Sequence, residues 1–154
     1  MNIAEFCIAR LDFREKLARE ATQGRWMLRG PHPDGDGRIE VVADQSPPGR
    51  PGTQTRWVVG SENFGGVYDQ ADADHIHVND PAYVLRDVAA KRAIVERWQD
   101  AEAIRHSWNG PGEGRDEDAW AADVAAAIAV DAAVREIAAI DDGHEDYDAD
   151  GAPQ

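Results

Sequence analysis

The residues whose chemistry could make a site gather between Asp72 and Arg92. His75 and His77 stand two positions apart, with the carboxylates of Asp72, Asp74 and Asp80 nearby. Imidazole nitrogens and carboxylate oxygens are ligands for a divalent metal, provided that they converge on one point. An i, i+2 pair shares a face on an extended segment but points to different faces on a helix. The surrounding residues read as helix, so the expectation is no metal and no cofactor. On that reading His75 packs or hydrogen-bonds near the start of the next helix and His77 is exposed. Arg86 and Arg92 add two guanidinium groups, so His75, Asp80, Arg86 and Arg92 are the candidate ligand-binding set for a small molecule or a metal.

Arg92 carries its own argument. Val84, Leu85, Val88 and Val95 define the apolar face of one helix, and Arg92 falls near the centre of that face. A buried Arg must be paired, or its stem must snorkel so that the charge reaches water. Asp131 holds the corresponding central position of the last helix, which makes an interhelical Arg92–Asp131 clamp the expected arrangement.

Other arrangements resolve into structure rather than chemistry. Asp34-Gly-Asp-Gly37 with Glu40 has a faint calcium-loop look, but it lacks the third early ligand and a Glu at the twelfth position. A hairpin turn explains it. Gly110-x-Gly-x-Gly114 follows a helix rather than a strand, so it is a linker and not a phosphate loop. The sequence has no Gly-x-Ser-x-Gly elbow, and its one thiol, Cys7, lies on an apolar stripe. No catalytic residue emerges, and the reading leans away from an enzyme. Trp108, beside Asn109-Gly-Pro-Gly112, is the aromatic interface candidate.

These residues need elements to hold them. Asn2 and Glu5 have capping-box spacing at the start of a helix over 2–23, with Ile3, Phe6, Cys7, Leu11, Phe13, Leu17 and Ala18 on its apolar side and Gly24 as its stop. Residues 25–29, 38–42 and 57–59 read as strands, and 66–68 as a fourth. Residues 43–55 form a Pro- and Gly-rich loop with the composition of a mobile one. A short helix over 69–78 precedes Asp80-Pro81, a cap followed by proline at the first helical position, and a long helix to about 106. A final Ala-rich helix covers about 117–140. Trp26, Trp57, Trp98 and Trp120 are expected in the core. The class is α+β: a small antiparallel sheet of three to four strands packed against three longer helices and one short one. Residues 1–140 are expected to form one domain, and 141–154 an acidic, partly disordered tail.

Composition narrows the partners. Sixteen Lys and Arg against 30 Asp and Glu leave a net charge of −14. So acidic a chain, without a cluster of basic residues, repels phosphate backbones and anionic lipid, so neither direct nucleic-acid nor membrane binding is expected. A single cysteine excludes an intramolecular disulfide. Met1-Asn-Ile-Ala-Glu5 lacks the basic and apolar regions of a signal peptide, so the expected location is cytoplasmic.

Three stretches carry a family resemblance. They are Phe6, Ala9-Arg-Leu-Asp12, Ala18 and Trp26; then Ala73-Asp-His-Ile76, Asp80-Pro81, Val84-Leu-Arg86 and Ala90-Lys-Arg92; and last Val134-Arg135, Ile137-Ala138 and His144-Glu-Asp-Tyr147. The chain resembles an uncharacterised family of small proteins, a domain of unknown function found in actinobacteria and their phages. The resemblance implies no activity. Many relatives carry two cysteines between the last two helices, whereas residues 105–115 here have none, so the resemblance implies no cysteine-based metal role for that region.

Three functions follow as expectations. The first is a non-enzymatic accessory protein that binds an unknown protein partner. The second is a small-ligand or metal-binding protein using His75, Asp80, Arg86 and Arg92. The third is an acidic, phage-type decoy that mimics DNA.

Overall fold

The computed structural model describes residues 1–30, 38–60, 65–67, 69–106 and 116–141. Its elements are α1 (Ile3–Glu20), β1 (Arg25–Arg29), β2 (Glu40–Asp44), β3 (Thr55–Val59), α2 (Gln70–Val78), α3 (Pro81–His106) and α4 (Glu117–Ala139). The fold is α+β, with four helices and a three-stranded antiparallel sheet among the described residues. The residues pack as two compact units, Met1–Phe13 with Val88–Gln154, and Arg14–Asp87.

Local capping chemistry sets the helix starts. The Asn2 N–H donates to Glu5 Oε2 at 2.8 Å and the Glu5 N–H donates to Asn2 Oδ1 at 2.9 Å, a reciprocal capping box. Asp69 caps α2 by accepting the Ala71 N–H at 2.7 Å. Asp80 caps α3 by accepting the Tyr83 N–H at 2.6 Å, with Pro81 in the first turn where its missing N–H costs nothing. Asp116 accepts the Asp118 N–H at the start of α4. The α1 helix stops three residues short of Gln23, because the Gln23 amide turns back and donates to the carbonyls of Ala18, Arg19 and Ala21.

In the first unit the core is made by one face each of three helical segments. Ile3, Ala4, Phe6, Cys7 and Leu11 of α1, Val88 and Val95 of α3, and Val134 and Ala138 of α4 are all buried. Each large apolar side chain so buried contributes about 1.5–3 kcal/mol. Phe13, expected on this face, is 47% exposed with the Arg10 guanidinium over its ring. At about 100° per residue it lies about 140° from the centre of the stripe formed by Cys7 and Leu11, on the far side of the helix from the core.

The second unit is built on the sheet, ordered β1-β2-β3. The central strand β2 is buried through Val41, Val42 and Ala43, and pairs Arg29 with Glu40 on one side and Asp44 with Thr55 on the other. It begins two residues later than its sequence implies and runs on to Asp44. The expected fourth strand is reduced to a single bridge, Val67 with Ile39. Helix α2 packs on β1 and β2 through the buried Ala73.

Loop 45–54 is more ordered than its composition implies. The Asp44 carboxylate accepts the N–H groups of Ser46 and Gly52 at 2.9 and 3.0 Å, and the Gln45 N–H donates to the Gln54 carbonyl at 2.8 Å. The Ser46 hydroxyl, followed by these two amides, holds the Asp44 carboxyl below its usual pKa. The four tryptophans assigned to the core are half-buried rather than buried, and the interior is mostly Val, Ile and Ala, with Phe6, Cys7 and Leu11.

Candidate functional site

His75 and His77 both lie within α2, so the helical geometry that sends an i, i+2 pair to different faces applies. Their exposures are the reverse of expectation. His75 is exposed, with its backbone carbonyl accepting from the Asn79 amide at 2.8 Å, whereas His77 is half-buried. The His77 Nδ1 is buried without a hydrogen-bond partner among the described residues. The sheet side of α2 takes the face that carries Ala73 and His77, spaced four apart, and leaves His75 to solvent. Asp80 is used as the α3 cap, and Arg86 is exposed. These three belong to the Arg14–Asp87 unit, and Arg92 belongs to the other. Among the described residues, no group of three His, Cys, Asp or Glu side chains is arranged to hold a metal. Trp108 lies outside the described residues.

Arg92 is not a buried charge. No polar or charged residue is buried among the described residues, and the Arg92 side chain is 32% exposed. From the centre of the apolar face of α3 its stem snorkels outward, and Nη2 pairs with Asp12 Oδ1 on α1. The carboxylate that receives it is 80 positions away in the sequence, on a helix the sequence reading did not pair with Arg92. Asp131 joins α3 to α4 through Trp98: Oδ1 accepts the Trp98 indole N–H at 2.9 Å, and Oδ2 accepts from Arg135 Nε at 2.8 Å.

Exposure sets the expected energetics. Asp12 is 58% exposed, so the Arg92–Asp12 pair itself is expected to contribute less than about 1 kcal/mol, and Asp12→Asn to cost no more than that. Asp131→Ala removes the acceptor of a half-buried indole N–H and is expected to cost about 1–3 kcal/mol. Urea denaturation of Asp12→Asn and Asp131→Ala checks the order, and a multi-kcal/mol loss in Asp12→Asn would reject the surface-pair assignment.

Cys7 is 2% exposed, and its thiol lies 3.8 Å from the Val134 carbonyl. Burial first, then the negative charge of Asp141, pushes its pKa up to about 11. A thiol so protonated is a poor nucleophile, as expected of a small core residue. Asp141 is itself paired with Arg10 at 3.3 Å.

One cavity escapes sequence reading altogether. Arg14, Trp26 and Asn79, from α1, β1 and the end of α2, border a pocket of about 240 Å³ in the Arg14–Asp87 unit. Residues far apart in sequence form it, and no spacing rule connects them. The only signal within α1 is the pairing of small Ala18 and Ala21 on the side of Arg14 and Leu17.

The architecture defines a small α+β protein in which Asn2, Asp69, Asp80 and Asp116 cap the helices. The chain belongs to DUF6221, a family of unknown function whose model matches residues 1–153. No curated protein and no solved structure is detectably similar. Among the described residues, no helix is long and apolar enough to cross a membrane.

Proposed function

We propose that this chain is a non-enzymatic accessory protein that acts by binding another protein through the outward face of α4. One observation carries the reading: Ile128 stands 62% exposed in the middle of that helix. Ala121, Ala125, Ala129 and Ala132 are exposed around it at helical spacing, and no charge interrupts residues 124–130. Large apolar side chains set among small ones, with acids at the rim, have the composition of a helix-binding surface. Asp118 and Asp123 flank the strip on one side and Glu136 on the other. The unit that contains α4 also carries 18 of the 30 acidic residues but seven of the 16 basic ones. The partner surface that complements it has an apolar centre and basic flanks.

The test is affinity capture from the native host with the wild type and with Ile128→Glu, both confirmed as folded by circular dichroism. The expected result is a partner held by the wild type and lost by the variant. Equal recovery on both would overturn the assignment. A partner that is a DNA-binding protein, displaced by duplex DNA, would turn the reading toward an acidic decoy.

A further inference from the structure

We propose that the Arg14–Asp87 unit holds a binding pocket for a small monocarboxylate with an aryl or branched-alkyl tail. Its wall is apolar, made by Leu17, Ala18 and Ala21 of α1, Trp26 of β1, and Pro81 and Val84 of α3. The space exists because two of the α1 wall residues are alanines where longer side chains would fill it. Leu17, though apolar, is left 50% exposed beside it. The volume, about 240 Å³, exceeds the roughly 150 Å³ that accommodates benzene, so a ring bearing a short acid chain fits.

Two polar groups mark the ligand's chemistry. The Arg14 side chain is 30% exposed and meets Asp87 through a single Nη2–Oδ2 approach of 3.3 Å. A guanidinium offers five N–H donors, and the others on Arg14 have no acceptor among the described residues. Asn79 donates its amide N–H to the His75 carbonyl, and its Oδ1 has no donor among the described residues. The Trp26 Nε1 donates to the Thr22 carbonyl at 2.8 Å, so the indole contributes apolar surface and no free donor to the wall. The pocket therefore supplies unspent N–H donors from one cation, and they match a carboxylate.

Charge opposes an anion less in this unit than in the other. Residues 14–87 carry nine basic against 12 acidic side chains, a far smaller excess of acid than the rest of the chain. One guanidinium, partly neutralised by Asp87, suits a monoanion and not a phosphate or a dicarboxylate.

The probe is 3-phenylpropionate, with 3-phenylpropanol as its uncharged counterpart, titrated into nitrogen-15-labelled full-length protein and followed by NMR. The expected result is saturable binding with Kd on the order of 0.1–1 mM, as befits so small a ligand. The shifts should centre on Leu17, Trp26 and Asn79, with the alcohol about tenfold weaker. Arg14→Gln should remove the preference for the acid and leave alcohol binding unchanged. Asp87→Asn, an isosteric change that releases Arg14 from its competitor, should tighten the acid severalfold. Ala21→Leu should abolish both by filling the space. Retained dispersion in each spectrum establishes that the variant is folded, and Asp87→Asn decides the matter if Arg14→Gln does not fold. Absence of saturation up to about 10 mM, or equal affinity for acid and alcohol in wild type and Asp87→Asn, would overturn the proposal. None of these variants touches the α4 face, so this pocket and the protein-binding reading stand or fall separately.

Discussion

Gly24→Ala is expected to destabilise the protein by about 3 kcal/mol or more, through a backbone collision that no side-chain movement relieves. Gly24 has φ +116°, outside the range that L residues adopt without strain. A Cβ placed there would lie 2.4 Å from the Asp44 carbonyl oxygen and 3.0 Å from the Asp44 carbonyl carbon. Both atoms are backbone at the end of the central strand, so relief requires moving β2 away from the start of β1. Gly49 is the control. It also has positive φ, +84°, but nothing lies within 4 Å of its Cβ position, so Gly49→Ala should cost only about 1–2 kcal/mol of backbone strain. Chemical denaturation of the two variants separates strain from collision. If Gly24→Ala is as mild as Gly49→Ala, the close approach of residue 24 to β2 is wrong.

The contrast between these glycines shows which parts of the fold can be read from sequence. Gly24 is recognisable as a helix stop because punctuation is local, and so are the caps: Asn2 with Glu5, and Asp80 before Pro81, each act within three residues. What makes Gly24 indispensable, its approach to Asp44, depends on strand pairing and leaves no local mark. The same division explains the strands. The pattern gives β1 its limits, but β2 is displaced by two residues because its span is set by partners on both sides.

The candidate site was less legible for the same reason. A helical wheel places Arg92 on the apolar face of α3 but cannot say how far its stem reaches. It offers every acid on a neighbouring helix as partner, and the structure pairs it with Asp12 of α1. The wheel also separates His75 from His77 without saying which of the two faces the sheet. The pocket bordered by Arg14, Trp26 and Asn79 is the extreme case, since three elements must fold before it exists. Cys7 is the opposite case: an apolar stripe alone marks it as a core residue, and it is buried.

That burial has a pH consequence. The Cys7 thiol ordinarily titrates at 9.0, and in the folded protein desolvation, aided by Asp141, raises this to about 11. The folded state therefore keeps a proton that the unfolded chain releases. The resulting stabilisation is fully present below pH 9 and is lost as pH rises toward 11. Two pH units of such linkage amount to about 3 kcal/mol, comparable with the collision at Gly24. Cys7→Ala lacks the titrating group. It should start less stable at pH 8, because the buried sulfur leaves a small void, and then lose less stability than the wild type between pH 9 and 11. Asp141→Asn should flatten the wild-type decline only in part, since burial is the larger cause. Urea denaturation of the three proteins across this range is the measurement. Parallel curves for wild type and Cys7→Ala would mean that the thiolate is tolerated in the folded core, and that the packing around Cys7 and Val134 admits water.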